Sequence, residues 1–397
     1  MNDIKHSRWI RSSQRRLKIW FSAAVLLAAQ AATAQALKLE TVASGLQNPW
    51  AIAFLPDGGY LVTERTGTLR RVDRGGTVSA PLAGVPPVDV GGQGGLLDLI
   101  LDSDFVNNRT LYFCYSEPDT NTGNTNSTAL ARAKLADDGK SLLDVKVLFS
   151  QFPKVTSSLH FGCRIVESRS AGQSDGLLFL ALGERYSRKD DAQKLDNHHG
   201  KIVRIGKDGR IPANNPFNTA DYRKAGALPE IWSYGHRNPQ GLVLSPVGVL
   251  WEHEHGPQGG DEVNLVQSGR NYGWPVITYG ENYGGGRIGA GITAQSGMEQ
   301  PVHYWVPSIA ASGMAFITSH RYGKDWVGNL VVGSLKFGNL SRLEMTEPYG
   351  GKLHRETKLP VEAGGRVRDV RQGPDGLLYL ITDSPKGKLL RLQPSGG

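Results

Sequence analysis

The chain is poor in most features that give a function away at once. Of its 397 residues only two are cysteine, Cys114 and Cys163. The fold therefore does not rest on a disulfide framework, although an exported chain permits one bridge between the two as readily as it permits two buried thiols. No run of lysine and arginine is interleaved with aromatics, which argues against nucleic acid as a partner. The longest apolar stretch, residues 19–32, is too short for a comfortable membrane span. No long amphipathic helix and no linker-like segment interrupts the rest, so a helical bundle and a string of domains are both excluded. The segment HEHGPQGGDE (residues 253–262) is dense in histidine and acid but lacks the His-Glu-x-x-His spacing, which excludes a zinc protease.

What is present is repetition. Six times the chain gives an alternating apolar run, a turn bearing Asp, Asn or Gly, and a second apolar run. These units begin at Trp50, Leu96, Phe161, Gly241, Gly313 and Val367. Each reads as strand, tight turn, strand, and the 50 glycines suit a protein made of turns. Spacings of roughly 45 to 75 residues fit four-stranded blades with inserted loops. The expectation is an all-β fold, a six-bladed β-propeller of four-stranded antiparallel blades. The segment LKLETVASGL from Leu37 reads as a strand that completes the last blade and closes the ring. Residues 119–127, residues 187–197 and the glycine-rich stretch at residues 283–286 read as loops. A propeller has one functional address, the mouth of its central channel, so polar residues scattered along the chain can meet there.

Residues 1–36 read as an export signal outside the fold. Lys5, Arg8, Arg11, Arg15, Arg16 and Lys18 form a basic region, an apolar stretch follows, and AATAQA offers cleavage after Ala34 or Ala36. An uncleaved anchor is the alternative, and the paired arginines admit twin-arginine export. Of the 45 bases and 37 acids, six and one lie in this segment, so residues 37–397 carry a net charge of +3. The basic character of the full chain belongs largely to the signal, and the destination expected is the periplasm.

Four constellations carry chemistry. His160, at the head of an apolar strand in SSLHFGCRI, serves either as a general base or as a hydrogen-bonded structural residue. Arg237 and Asn238, in SYGHRNPQGL, precede a proline that keeps the chain extended. The pair suits an anionic or carbonyl-rich ligand, or staples a loop. In residues 253–262, Gly256 and Pro257 leave carbonyls free beside Asp261 and Glu262, a donor set that suits Ca²⁺ better than zinc. Gln93, Lys336, Arg366 and Arg368 occupy matching blade positions. Arg366 and Arg368 share one face of a strand and call for an anion, unless that face is solvated.

Together HFG, GHRNPQG, EHGPQGGDE, NYGWP and RVRD, in that order, resemble the soluble quinoprotein sugar dehydrogenases. The likeness is closest to the periplasmic aldose sugar dehydrogenase branch, and it spans residues 38–394. It implies pyrroloquinoline quinone (PQQ) and Ca²⁺ as cofactors, an aldose as substrate and a separate electron acceptor. By this likeness His160 is the general base, and Glu184 stands where an acid, often Asp, supports it. Arg237 and Asn238 lie beside the quinone, with Gln93, Lys336, Arg366, Arg368 and, over the ring, Tyr283. The Gly256 and Pro257 carbonyls hold Ca²⁺ at the cofactor, while Glu262 and Tyr272 form a second, structural Ca²⁺ site. The cationic residues would neutralise the three carboxylates of the quinone. The implied reaction takes the sugar at C1 to its lactone. A Ca²⁺-dependent propeller lactonase or esterase, and a non-catalytic binding propeller, are the other readings. Both leave Lys336, Arg366 and Arg368 without a ligand.

Overall fold

The six repeats fold as six antiparallel sheets in the computed structural model, which describes residues 37–394 apart from Thr122. Blade 1 comprises Pro49–Phe54, Tyr60–Glu64 and Thr68–Val72. Blade 2 comprises Leu96–Leu101, Thr110–Pro118, Asn126–Leu135 and Leu142–Ser150. Blade 3 runs Gly162–Ser170, Gln173–Leu182, Lys201–Gly206 and Ile231–Tyr234. Blade 4 runs Pro239–Leu244, Leu250–Glu254, Asp261–Val266 and His303–Trp305. Blade 5 is Ala311–Phe316, Leu330–Ser334, Leu340–Glu347 and Gly350–Lys358. Blade 6 is Val367–Gln372, Leu378–Thr382 and Gly387–Pro394, completed by Leu37–Leu46. That last pairing, from Leu37 opposite Pro394 to Leu46 opposite Gly387, closes the ring as expected. It also covers the outer edge of Gly387–Pro394. The first strand of each blade packs against the first strands of both neighbours, so six strand heads surround one channel.

Two details depart from the sequence reading. Blade 1 has three regular strands and not four. The chain after Val72 does run back along Thr68–Val72, with Ser79 N donating to Arg71 O at 2.8 Å and Leu82 N to Leu69 O at 2.8 Å. Pro81 lies between them without an N–H to donate, and the ladder stays irregular. The second departure is in the pattern of the apolar runs. Tyr60–Glu64 and Leu378–Thr382 are buried at all five positions, not at alternate ones. Both faces of an inner strand are covered by adjacent blades, so a continuous apolar run is what packing selects. At the rim, Gly350–Lys358 has no buried position.

The turns repeat their chemistry. In Leu55–Gly59 and again in Gly373–Leu377, a Pro-Asp-Gly turn places glycine at φ 83° and 80°. In each, the Asp carboxylate accepts the next amide but one, at 2.9 and 3.1 Å. Cys114 and Cys163 are bridged, joining the second strand of blade 2 to the first of blade 3 across 49 residues. A loop of that length makes the bridge worth about 4 kcal/mol in the chain-entropy picture.

The channel is plugged at mid-height. Arg164 bonds Asp369 at 2.9 Å and Asp98 at 3.3 Å, and Arg371 bonds Asp369 at 2.8 Å and also Asp98. Arg164 lies 4.1 Å over the Trp50 ring. This layer separates a cavity of about 350 Å³ at the heads of the first strands from one of about 970 Å³ at their far ends.

Candidate active site

The smaller cavity is lined by Asn48, Trp50, Arg65, Gly92, Gln93, Phe161, Gly162, Asn238, Gln240, His255, Arg366, Arg368 and Asp383, among others. Its polar side chains come from blades 1, 2, 4 and 6, while blade 3 contributes Phe161 and Gly162 and blade 5 contributes Leu335. Three guanidinium groups, an imidazole and several amides thus converge on one small space.

At its edge sits His160. The turn Ser157–Phe161 brings the chain into blade 3, and His160 adopts φ 50°, unusual for a residue with a side chain. Its amide donates to Gln93 Oε1 at 2.8 Å. Its ring Nδ1 meets Glu184 Oε2 at 2.8 Å, and both side chains are buried. Gly183 precedes Glu184 because the His160 carbonyl passes 2.1 Å from where a Cβ would stand. Glu184 thus reaches the ring directly. With Glu184 accepting Nδ1–H, Nε2 is left as a lone-pair acceptor. Burial is the largest cause holding the ring below the ordinary histidine range, Glu184 opposes it, and Arg237 and Arg185 reinforce it. The imidazole is neutral at neutral pH.

Arg237 sits beside this pair. Its Nη1 donates to the carbonyls of His255 and Gly256, both at 2.9 Å, and its guanidinium lies 5.2 Å from the Trp274 ring centre. Asn238 Oδ1 accepts Gly162 N at 3.1 Å, tying blade 4 to the His160 turn. Arg368 is buried and bonds Asp383 Oδ2 at 2.7 Å, while Arg366 stays half-exposed 3.6 Å from the same oxygen. The strand carrying them starts at Val367, so Arg366 belongs to the loop before it. Burial alone would raise the Asp383 carboxyl, but the charge and hydrogen bond of Arg368 hold it at about 2.

The structure thus draws Gln93, Asn238, Arg366 and Arg368 into one cavity, with His160, Glu184 and Arg237 against it. Lys336 and Tyr283 are not in that lining. Lys336 is exposed with its ammonium 5.2 Å from the Phe337 ring, and Tyr283 is 63% exposed on a loop beside Gln258. Asp383, Arg65, Asn48 and Gln240 were missed by sequence reasoning. Asp383 directly follows the strand Leu378–Thr382 in the last repeat, as Arg65 follows Tyr60–Glu64 in the first, and that repeat alignment could have found them.

A second hollow is lined by Arg237, Glu254, Gly256, Glu262, Tyr272 and Trp274. Glu254 lies opposite Glu262 in the ladder, and Glu252 lies two pairs further along, on the same face. Burial, then the charges of Glu254 and Glu252, push the Glu262 carboxyl well above its usual range. His236 Nδ1 bonds Glu252 at 3.2 Å and stacks on Tyr272, their ring centres 4.7 Å apart. The Tyr272 hydroxyl itself accepts Gln267 N at 2.8 Å. The ligand atoms of buried His236, Glu252 and Glu254 lie within 4.8 Å of one another; with Glu262 paired to Glu254 across the ladder, they make a donor set for a hard divalent cation.

Comparison with known proteins shows the family. Residues 46–391 match the family Glucose / Sorbosone dehydrogenase. The aldose sugar dehydrogenase YliI of Escherichia coli K12 is 43% identical over 363 residues, 90% of this chain and 93% of that one. Quinoprotein glucose dehydrogenase B of Acinetobacter calcoaceticus is 28% identical, covering 87% and 85%. Among solved structures, the apo-form of the soluble aldose sugar dehydrogenase of E. coli superposes with a TM-score of 0.83 at 42% identity, covering 90% of this chain and all of that one. The PQQ-bound aldose sugar dehydrogenase of Streptomyces coelicolor superposes with 0.70 at 28%, covering 90% and 98%. Fold, site geometry and sequence together place the chain in the glucose/sorbosone dehydrogenase family.

Proposed function

We propose that this protein oxidises aldose sugars at C1 to lactones, with PQQ in the cavity at the channel mouth and Ca²⁺ beside it. The observation that carries the reading is the buried His160–Glu184 pair at the edge of a cavity lined by guanidinium groups. The residues fit an anionic, carbonyl-rich ligand. Arg65, Arg237 and Arg368 each keep a buried Nε with no hydrogen-bond partner among the described residues. Buried N–H groups left in that state cost about 1–3 kcal/mol each, and a ligand with carboxylates relieves them. Asp383 already pairs with Arg368, so the cationic strand is only partly free for a ligand.

When bound, PQQ supplies an ortho-quinone that accepts two electrons, and Ca²⁺ supplies Lewis acidity. Gln93, Asn238, Arg366 and Arg368 would hold the quinone, with Lys336 and Tyr283 reaching it from the rim. The carbonyls of Gly256 and Pro257 would hold the adjacent cation. The Gly256 carbonyl already accepts from Arg237 and has a second lone pair to offer. Glu262 and Tyr272, with Glu252 and Glu254, would hold the structural cation.

The protein's own chemistry is proton transfer and orientation. Neutral His160 takes the proton of the C1 hydroxyl at Nε2 as the C1 hydrogen leaves with its electron pair. Glu184, already bonded to Nδ1–H, stabilises the imidazolium that results. Arg237 places a fixed positive charge beside the reacting atoms. Electrons then leave to a separate acceptor.

Residues 1–36 lie outside the described residues, and we read them as a signal for export to the periplasm. A disulfide between Cys114 and Cys163 fits an oxidising compartment. No helix among the described residues is long and apolar enough to cross a membrane. The test is to strip the protein with EDTA and add PQQ with Ca²⁺. Sugar-dependent bleaching of the quinone absorbance is expected. Full dehydrogenase activity of the stripped protein without added quinone would overturn the reading.

A further inference from the structure

Arg185 is among the largest side chains fully shut off from solvent. A buried guanidinium normally faces a carboxylate. Here its bonds go to uncharged oxygens: Leu159 O at 3.0 Å, Ser157 O at 2.5 Å, Asn126 O at 3.3 Å and Asn126 Oδ1 at 2.6 Å. Its Cζ lies 3.9 Å over the Phe161 ring. The Ser157 hydroxyl returns a bond to the Arg185 carbonyl at 3.0 Å. Arg185 and Tyr186 both hold left-handed backbone conformations, with φ 65° and 64°. Consecutive residues with side chains rarely adopt these conformations, and they persist only where surrounding contacts enforce them.

These contacts share a target. Ser157, Leu159 and Phe161 flank His160, and Asn126 anchors the turn to blade 2 through paired backbone bonds with Val155, both at 3.0 Å. The planar fork thus grips from behind the turn that presents His160 to the cavity, while the preceding residue, Glu184, grips the ring. We propose that Arg185 is a positioning residue for the base: it fixes the Ser157–Phe161 turn and adds a second positive charge near the His160 ring. This rests on the reading of His160 as the base.

The charged groups facing that ring are Glu184 from the same loop, Arg237 from blade 4 and Arg185, with Tyr186 edge-on at 5.3 Å. Arg237 and Arg185 disfavour the imidazolium and Glu184 favours it. Burial pushes the Arg185 guanidinium itself down to about 10, opposed by Glu184 and Asp89, so it is charged at neutral pH. Removing Arg185's charge should therefore raise the affinity of His160 for a proton. Removing its fork should loosen the turn at every pH.

The experiment uses Arg185→Gln and Arg185→Lys. His160 is titrated by NMR in histidine-labelled protein without quinone, and sugar-driven quinone reduction is followed by stopped flow across pH. In Arg185→Gln the His160 protonation constant should rise roughly threefold or more, moving the acid limb of the rate to higher pH. Turnover should fall about 10- to 100-fold, as expected for a misplaced base, with quinone affinity nearly unchanged. In Arg185→Lys the titration should stay as in the wild type while turnover falls at all pH values, because an ammonium cannot span the carbonyls. A folded Arg185→Gln with wild-type titration and turnover overturns the proposal. If that variant does not fold, wild-type turnover in Arg185→Lys overturns it. His160→Ala run in parallel separates the two ideas: wild-type reduction there sinks the base assignment, while the NMR shift still reports on Arg185.

Discussion

The two ends of the channel differ in size by nearly a factor of three, and the smaller is the better candidate for chemistry. The wide mouth, at about 970 Å³, has a charged floor of Arg164, Asp98, Asp369 and Arg371, but each charge there is answered by another. The narrow mouth, at about 350 Å³, keeps unpartnered guanidinium N–H groups and an imidazole whose Nε2 is free to accept a proton. A satisfied network stabilises the fold. An unsatisfied one awaits a ligand. Unmet hydrogen-bonding capacity, more than volume, distinguishes a site from a hollow.

The sharpest way to break this comparison is at His160. Replacing it with alanine should lower turnover about 10²–10⁴-fold, the usual worth of a general base, with quinone binding near wild type. Stopped-flow reduction of the quinone at saturating aldose measures it. A wild-type rate would move suspicion to Glu184. The wild type carries a pH signature as well. Its ring must be neutral to act, and its proton affinity is held below the histidine norm by burial. Turnover should therefore hold as pH falls through 6.5, the ordinary histidine value, and drop only below it. An acid limb at or above that value would contradict the buried geometry.

The next effect lies at the plug. Asp98→Ala leaves Arg164 and Arg371 short of a partner in a buried layer, and loss of one member of such a network costs about 3–5 kcal/mol. Thermal or denaturant unfolding should show it, with quinone affinity of the surviving folded protein little changed. A large change in affinity with no loss of stability would mean that the plug belongs to the site.

At the narrow mouth the two arginines should separate. Arg368 is buried with one unpartnered N–H, and its loss should weaken quinone binding by about 1.5–3 kcal/mol as a charge-assisted contact. Arg366 is half-exposed, and solvent should reduce its share below that. Quinone titration of both alanine variants checks the order. Equal losses, or none, would mean that burial does not decide which cation holds the ligand.

How far this was legible beforehand follows from where each residue sits. Strand, turn and ring closure were readable because they repeat and because Leu37–Leu46 lacked a partner. His160, Arg237 and Asn238 were readable as candidates from their own segments, and Glu184 only through the family resemblance. Asp383, Arg65 and Asn48 lie one residue from strand ends as well, but no motif marks them, and only aligning the repeats would have pointed to them. The pairing of Cys114 with Cys163 stayed open because it depends on the register between two blades. Lys336 and Tyr283 stand on exposed loops whose path no periodicity encodes. The Glu252–Glu254–Glu262 cluster was half visible. Alternation within Leu250–Glu254 puts Glu252 and Glu254 on one face, but only the neighbouring strand brings Glu262 to them.

The smallest effect gives the cleanest control. Arg169 lines the wide mouth, its side chain about half exposed and 3.9 Å from Glu167. A surface pair of that kind is worth roughly 0–1 kcal/mol, because solvent screens it and two long side chains lose freedom in forming it. Arg169→Ala should leave turnover, quinone affinity and the acid limb of the rate unchanged, and should shift unfolding by no more than that amount. The satisfied plug is what insulates one mouth from the other: a charge lost on the wide side is met by solvent and Glu167 before it can bias the His160 ring. A change in reduction rate or in quinone affinity in this variant would show that the wide mouth communicates with the site through the Arg164–Asp98–Asp369 layer. The contrast between the two ends would then fail at its starting point.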